Sequence, residues 1–145
     1  MATITRTFNV RAAPPAVLDY LKDFTHAEEW DPGTASCTRE GAGPIQVGAR
    51  FHNVSKIAGV TTELTYVLER LDETTVEFRG SNDSATTTDT IAVLPADDGP
   101  GSEITYTAVI SMNGLAKITD PVMKVVFEKI GNDTVTAMTE ALDAL

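Results

Sequence analysis

The sequence predicts an α+β domain in which an antiparallel sheet grips a long C-terminal helix. Three observations carry this. Between Thr34 and Met112, apolar and polar residues alternate with the two-residue period of strands. From about Asp120 to Leu145, Met123, Phe127, Ile130, Thr134, Met138 and Leu142 instead recur at three- and four-residue steps, the signature of an amphipathic helix. Strands and helices do not alternate in the βαβ rhythm of a parallel sheet, and no repeat breaks the pattern.

In chain order, Ile4, Phe8 and Val10 alternate with Thr5, Thr7 and Asn9 as a first strand. Arg6 falls on its apolar parity, which puts it near an edge or makes it snorkel. Pro14-Pro15 opens a helix, since a first turn tolerates the missing N–H, and Val17, Leu18, Leu21 and Phe24 form its buried stripe. A second short helix is expected over about 25–29, with Thr25 as N-cap and Glu28 at capping-box spacing. Trp30-Asp31-Pro32-Gly33 stops it. Six strands then fit between turn signals, at about 34–40, 49–56, 60–70, 74–80, 85–95 and 102–112. Leu64, Tyr66 and Leu68 face one way and Glu63, Thr65 and Glu69 the other; Val76 and Phe78 oppose Glu77 and Arg79. Ile104, Tyr106, Ala108, Ile110 and Met112 oppose Thr105, Thr107 and Ser111. One wet and one apolar face is how an antiparallel sheet backed by a helix reads. Within that last helix Gly131 marks a bend, a close backbone approach or an indifferent site, at ~1 kcal/mol against alanine.

The bulk properties bound the function. A chain of 145 residues has the length of one domain, spanning 1–145, and needs no staples to hold a core. Its net charge of −10 makes nucleic acid and anionic membrane poor partners, since both are polyanions. The single cysteine, Cys37, excludes an internal disulfide and reads as a small buried side chain in a strand. The first residues lack the apolar core of a signal peptide, and no run approaches the ~18 apolar residues of a span. A cytoplasmic protein without membrane insertion, monomeric or homodimeric, is expected. No cofactor is expected: there is no Walker A and no Gly-x-Gly-x-x-Gly, and Gly41-Ala42-Gly43-Pro44 reads as a strand connection. Nor is a metal, because His26 and His52 lie on different elements without ligands at spacing. No Gly-x-Ser-x-Gly elbow occurs.

Four features taken in order resemble one superfamily: Ala-Pro-Pro-x-Val-x-Asp-Tyr-Leu (Ala13 to Leu21), Glu29-Trp30-Asp31-Pro32-Gly33, Val47-Gly48-Ala49-Arg50-Phe51 and the final helix. Together they resemble the SRPBCC proteins, the START-like or Bet v 1-like helix-grip fold, and within it the bacterial polyketide cyclase/dehydrase and lipid-transport-like branch. The resemblance implies a seven-stranded curved antiparallel sheet wrapped around the C-terminal helix, two short helices after the first strand, and a cavity whose mouth lies near them. It implies a small hydrophobic or amphipathic ligand, polyketide- or lipid-like. It carries over no catalytic residue, and such a fold hosts carriers, cyclases and regulators alike.

Strand parity and the resemblance name the expected ligand-binding wall: Phe51, Leu64, Tyr66, Phe78, Ile91, Tyr106, Met123 and Phe127, with Trp30, Asn53 and Asp89 as its further members. Asp89 is the informative one. Ile91 and Val93 point inward and Asp89 shares their parity, so its carboxyl either stands on the cavity wall or is solvated at the rim. On the wall it needs a donor such as Tyr66, Tyr106 or Asn53, or its pKa rises. Trp30 is either a mouth residue on which a ligand stacks or the plug that packs the short helices onto the sheet. Binding is the leading function, a cyclase or dehydratase with Asp89 as acid or base the second, and a ligand-responsive partner of another protein the third.

Overall fold

The computed structural model describes residues 1–112 and 121–145. Its seven strands are β1 (Ala2–Val10), β2 (Thr34–Glu40), β3 (Arg50–Ile57), β4 (Val60–Leu71), β5 (Thr75–Ser81), β6 (Ala85–Pro95) and β7 (Ser102–Met112). They form one antiparallel sheet in the order β1-β7-β6-β5-β4-β3-β2. Helix α1 (Pro14–Leu21), a 3-10 turn (Phe24–His26) and α2 (Ala27–Trp30) connect β1 to β2, and α3 (Pro121–Asp143) follows β7. This is the helix-grip arrangement that the sequence predicts. Asp120, the expected start of α3, lies outside the described residues.

Among the described strand-to-strand connections one is not a simple hairpin step: the short helices carry the chain from β1 at one edge to β2 at the other. Two bulges bend the sheet. One falls between Thr34 and Ser36, the other between Leu68 and Arg70. An extra residue on one strand of a pair kinks it and increases its twist. The second bulge also resets the parity of β4, so Leu68 and Leu71 both face inward, opposite Phe78 and Val76.

The short helices differ from expectation at their cap. Asp23, not Thr25, caps the 3-10 turn: its Oδ1 accepts from the Thr25 amide at 3.0 Å and the Thr25 hydroxyl at 2.7 Å. Glu28 makes no capping box, because its Oε2 accepts from the Cys37 amide on β2 at 2.8 Å. As an edge strand, β2 has outward amides without a strand partner, and a carboxylate nearby takes one of them. Cys37 itself is buried, as expected.

Helix α3 rests mainly on β1 and α2. Its buried stripe is Phe127, Gly131, Thr134, Met138 and Leu142, while Met123 and Ile130 are half-buried. Gly131 joins the stripe because β1 comes close there. A Cβ on it would lie 2.8 Å from both Ile4 Cγ2 and Arg6 Nη2. Arg6 lies on the edge strand and also snorkels: it reaches past Gly131 to donate to Glu128 Oε2 at 2.8 Å and to Asn132 Oδ1 at 3.2 Å.

Candidate functional site: the inner face around Asp89

Three cross-strand rows bring the inner side chains together. Ile4, Ala108, Asp89 and Phe78 stand side by side across β1, β7, β6 and β5. Arg6, Tyr106, Ile91 and Val76 form the next row, and Ile110, Thr87, Gly80, Tyr66 and Phe51 the row on the other side. Side chains in such rows are direct neighbours, with strands ~4.8 Å apart.

Phe24 fills the space over part of this face. Its ring centroid lies 4.3 Å from that of Tyr66, 4.4 Å from Phe78, 6.2 Å from Phe51 and 5.9 Å from Trp30. Phe24, Trp30, Phe51, Phe78 and Ile91 are wholly buried in consequence. Trp30 is therefore the plug of the two roles expected for it, set edge-on between Phe24 and Tyr106, whose ring is 5.9 Å away. A second group from the same expected wall keeps some contact with the outside: Leu64 at 8%, Tyr66 at 5%, Asp89 at 3%, Tyr106 at 6% and Phe127 at 7% exposed. Met123 is half-buried beside them in the core's periphery. Ten of the eleven residues named from sequence thus divide into a closed cluster around Phe24 and a group that keeps residual exposure. Asn53 belongs to neither. It donates to Thr34 Oγ1 at 2.9 Å and accepts from Ser55 at 2.5 Å, so it does not serve Asp89.

Asp89 is 3% exposed on the inner face and not solvated at a rim. Its Oδ1 accepts from the Thr87 hydroxyl at 3.2 Å and its Oδ2 from Tyr106 at 3.5 Å. These are long bonds for a carboxylate, which typically accepts from hydroxyls at ~2.5–2.7 Å. Burial, and then the negative charge of Asp31, push the carboxyl up to about 7, and the Thr87 and Tyr106 hydroxyls pull only partly against them. Burial is the larger cause, and Asp31 adds a second charge that the linear sequence does not place nearby. Asp31 is itself raised by burial, which its bonds from the Gly33 amide at 3.0 Å and the Thr34 hydroxyl at 2.9 Å oppose. Burial also raises Tyr66 and Tyr106 well above the ordinary phenol range, so both are neutral.

Sequence reasoning missed four participants. Thr87 was readable, since it stands two residues from Asp89 on the same face. Gly80 carried a signal too, because a glycine within a strand marks a close approach: a Cβ there would fall 2.6 Å from the Tyr66 ring. Phe24 falls on the α1 stripe by its spacing, and nothing local shows that the 3-10 turn swings it over β4 and β5. Asp31 had no signal either.

A hollow of about 510 Å3 opens between the start of β1 and α3, lined by Ile4, Phe127, Lys124, Glu128 and the first three residues. It lies in the size range of small-molecule pockets, but it shares only Phe127 with the wall expected from sequence. Its Ile4 is the end of the row that runs through Ala108 to Asp89.

A curved sheet gripping a C-terminal helix, with short helices capping its inner face, defines a START-like protein of the SRPBCC superfamily. This chain belongs to the family described as polyketide cyclase/dehydrase and lipid transport, which matches it over residues 1–145. Its fold is similar to that of a Thermus thermophilus protein, with a TM-score of 0.80 at 14% identity, covering 99% of this chain and 98% of that one. A START superfamily protein from Mycobacterium smegmatis gives a TM-score of 0.79 at 12% identity, covering 98% and 97%. The ZhuI aromatase/cyclase from a Streptomyces species gives 0.75 at 14% identity, covering 98% and 93%. At such identities the likeness is one of fold. No curated protein matches the sequence.

Proposed function

We propose that this chain binds a small, predominantly apolar molecule between the sheet and α3, with Asp89 at its polar end. The observation that carries this is the division of the inner face. Phe24 closes one part, whereas Leu64, Tyr66, Asp89, Tyr106 and Phe127 keep residual exposure, Phe127 on the side where α3 leans on β1. The hollow beside Ile4 and Phe127 gives such a molecule a way in, and Ala108 is the short side chain between Ile4 and Asp89. Family membership supports the same reading. Native mass spectrometry of the purified protein tests it directly, together with titration of the neutral probe Nile red. A co-purified apolar molecule, or probe binding that Ala108→Leu weakens, is the expected result. Failure to bind neutral apolar molecules at millimolar concentration would overturn it.

A second reading, a cyclase- or dehydratase-type enzyme acting on such a ligand, is favoured by one observation. A carboxyl pushed up to about 7 is poised to donate or accept a proton at neutral pH. The aromatase/cyclase likeness of the fold is consistent with it. Asp89→Asn separates the two, since it would abolish turnover of a bound polyketide-like substrate while leaving its binding in place.

A further inference from the structure

We infer that the β2–β3 connection, residues 41–48, is a strap that Arg39 latches at the inner face of β2 and β3, and that its release opens that end of the face to solvent. The inference concerns the ligand-free chain and stands apart from the binding reading above.

The connection hangs on few contacts. Seven of its eight residues are exposed, and Ile45 alone turns in, half-buried against the core. Gly41, Gly43 and Gly48 stand at φ of 98°, 91° and 97°, with nothing within 4 Å of where a Cβ would sit. That left-handed backbone suits glycine. Glycines at both ends, with open space around them, can absorb the dihedral change of a swing without dragging the strands along. Past the strap the chain is fixed: the Gly48 amide donates to the Leu68 carbonyl at 2.8 Å, and the Leu68 amide to the Ala49 carbonyl at 2.9 Å. A segment with one inward apolar side chain opens more readily than the sheet it joins.

Arg39 supplies the latch. It shares the inner parity of Cys37 and pairs with Phe51 across β2 and β3. Its Nη1 donates to the Gly43 carbonyl, and its Nη2 to that of Pro44 at 3.2 Å. No carboxylate answers the charge: among the described residues Arg39 forms no ion pair, although the chain holds 21 acidic residues. Its Nε is cut off from solvent and has no partner among the described residues. The closed state thus gains two bonds to neutral carbonyls and leaves a third donor without its water, which narrows the gap to an open state. With the strap closed, Phe51 is wholly buried and Cys37 is 2% exposed.

Arg39→Met removes the donors and keeps an apolar stem, and it is compared with the parent chain, both free of ligand. Two native reporters read the outcome. The Ala49 amide donates to the Gln46 carbonyl within the strap at 2.9 Å, across the Gly48 hinge. Cys37 is the single cysteine, and burial pushes its thiol up to about 12, so it reacts near neutral pH only when the face opens. In Arg39→Met, hydrogen exchange by NMR should be about tenfold faster at Ala49 and unchanged at Leu68. Cys37 should react several-fold faster with methyl methanethiosulfonate. Arg39→Lys, which can restore one carbonyl bond, should fall between the two. Unchanged exchange at Ala49 would overturn the latch. A matching rise at Leu68 would overturn the strap, because the β3–β4 pair as a whole would then be loosened. Faster exchange at Ala49 with unchanged labelling of Cys37 would overturn its guarding of the inner face.

Discussion

The ring of Tyr66 lies flat over Gly80, its neighbour across the β4–β5 pair, so closely that a Cβ at Gly80 would sit 2.6 Å from the ring. The side chain is thereby laid across β5 towards β6, where Thr87 pairs with Gly80 and Asp89 follows two residues on. One missing methyl group thus sets the direction in which a buried phenol points.

Gly80→Ala should displace the Tyr66 ring, which is held from its other side by Phe24. Overpacking of that kind costs ~1–3 kcal/mol, and urea denaturation measures it. Unchanged stability would mean that Tyr66 has room to move, contrary to the packing described.

Asp89 should make stability depend on pH in a definite sense. Its folded-state pKa is raised to about 7 by burial and by Asp31, against an unfolded value near ~3.9. The native state therefore holds the proton more tightly. The group's stabilising contribution is full below about pH 4 and is lost as pH rises through the folded value near 7. Asp89→Asn mimics the protonated form, so it should flatten the profile in that window and be more stable than the parent at pH 8. NMR titration of the Asp89 carboxyl gives the value directly, and a midpoint at or below 4 would contradict the account.

Phe24 and Phe127 should differ on truncation although both are buried phenylalanines. Phe24 has no exposure and aromatic neighbours on several sides, whereas Phe127 borders the hollow at the β1 edge. Phe24→Ala should cost ~3–5 kcal/mol, and Phe127→Ala should fall below that range because its site is already part open. The larger loss at Phe127, measured by denaturation, would contradict this.

Gly131→Ala should destabilise even though alanine is the better helix former by ~1 kcal/mol. The added methyl meets Ile4 and Arg6, and Ile4 is fixed in the core between β1 and α3. The loss should shrink when Ile4, whose Cγ2 the new methyl meets, is shortened to alanine in the same chain, a coupling that a double-mutant cycle detects. Additive effects would place the cost elsewhere.

The inner parity of β3 to β7, the amphipathic stripe of α3 and the succession of elements were legible in the sequence, because they follow from local periods of two and 3.6 residues. That Asp89 shares the parity of Ile91 was legible for the same reason. Which of the parity-matched residues meet at one point was not. The register that seats Asp89 beside Ala108, the bulge that turns Leu71 inward, and the swing of Phe24 over Tyr66 and Phe78 all depend on pairings between distant segments. The same holds for charge. Asp31 and Asp89 lie 58 positions apart in the chain, and only the folding of the short helices onto the sheet brings their fields together. Local periodicity fixes which face a side chain takes; burial, neighbouring charge and shape are properties of the packed whole, and they decided what Asp89 can do.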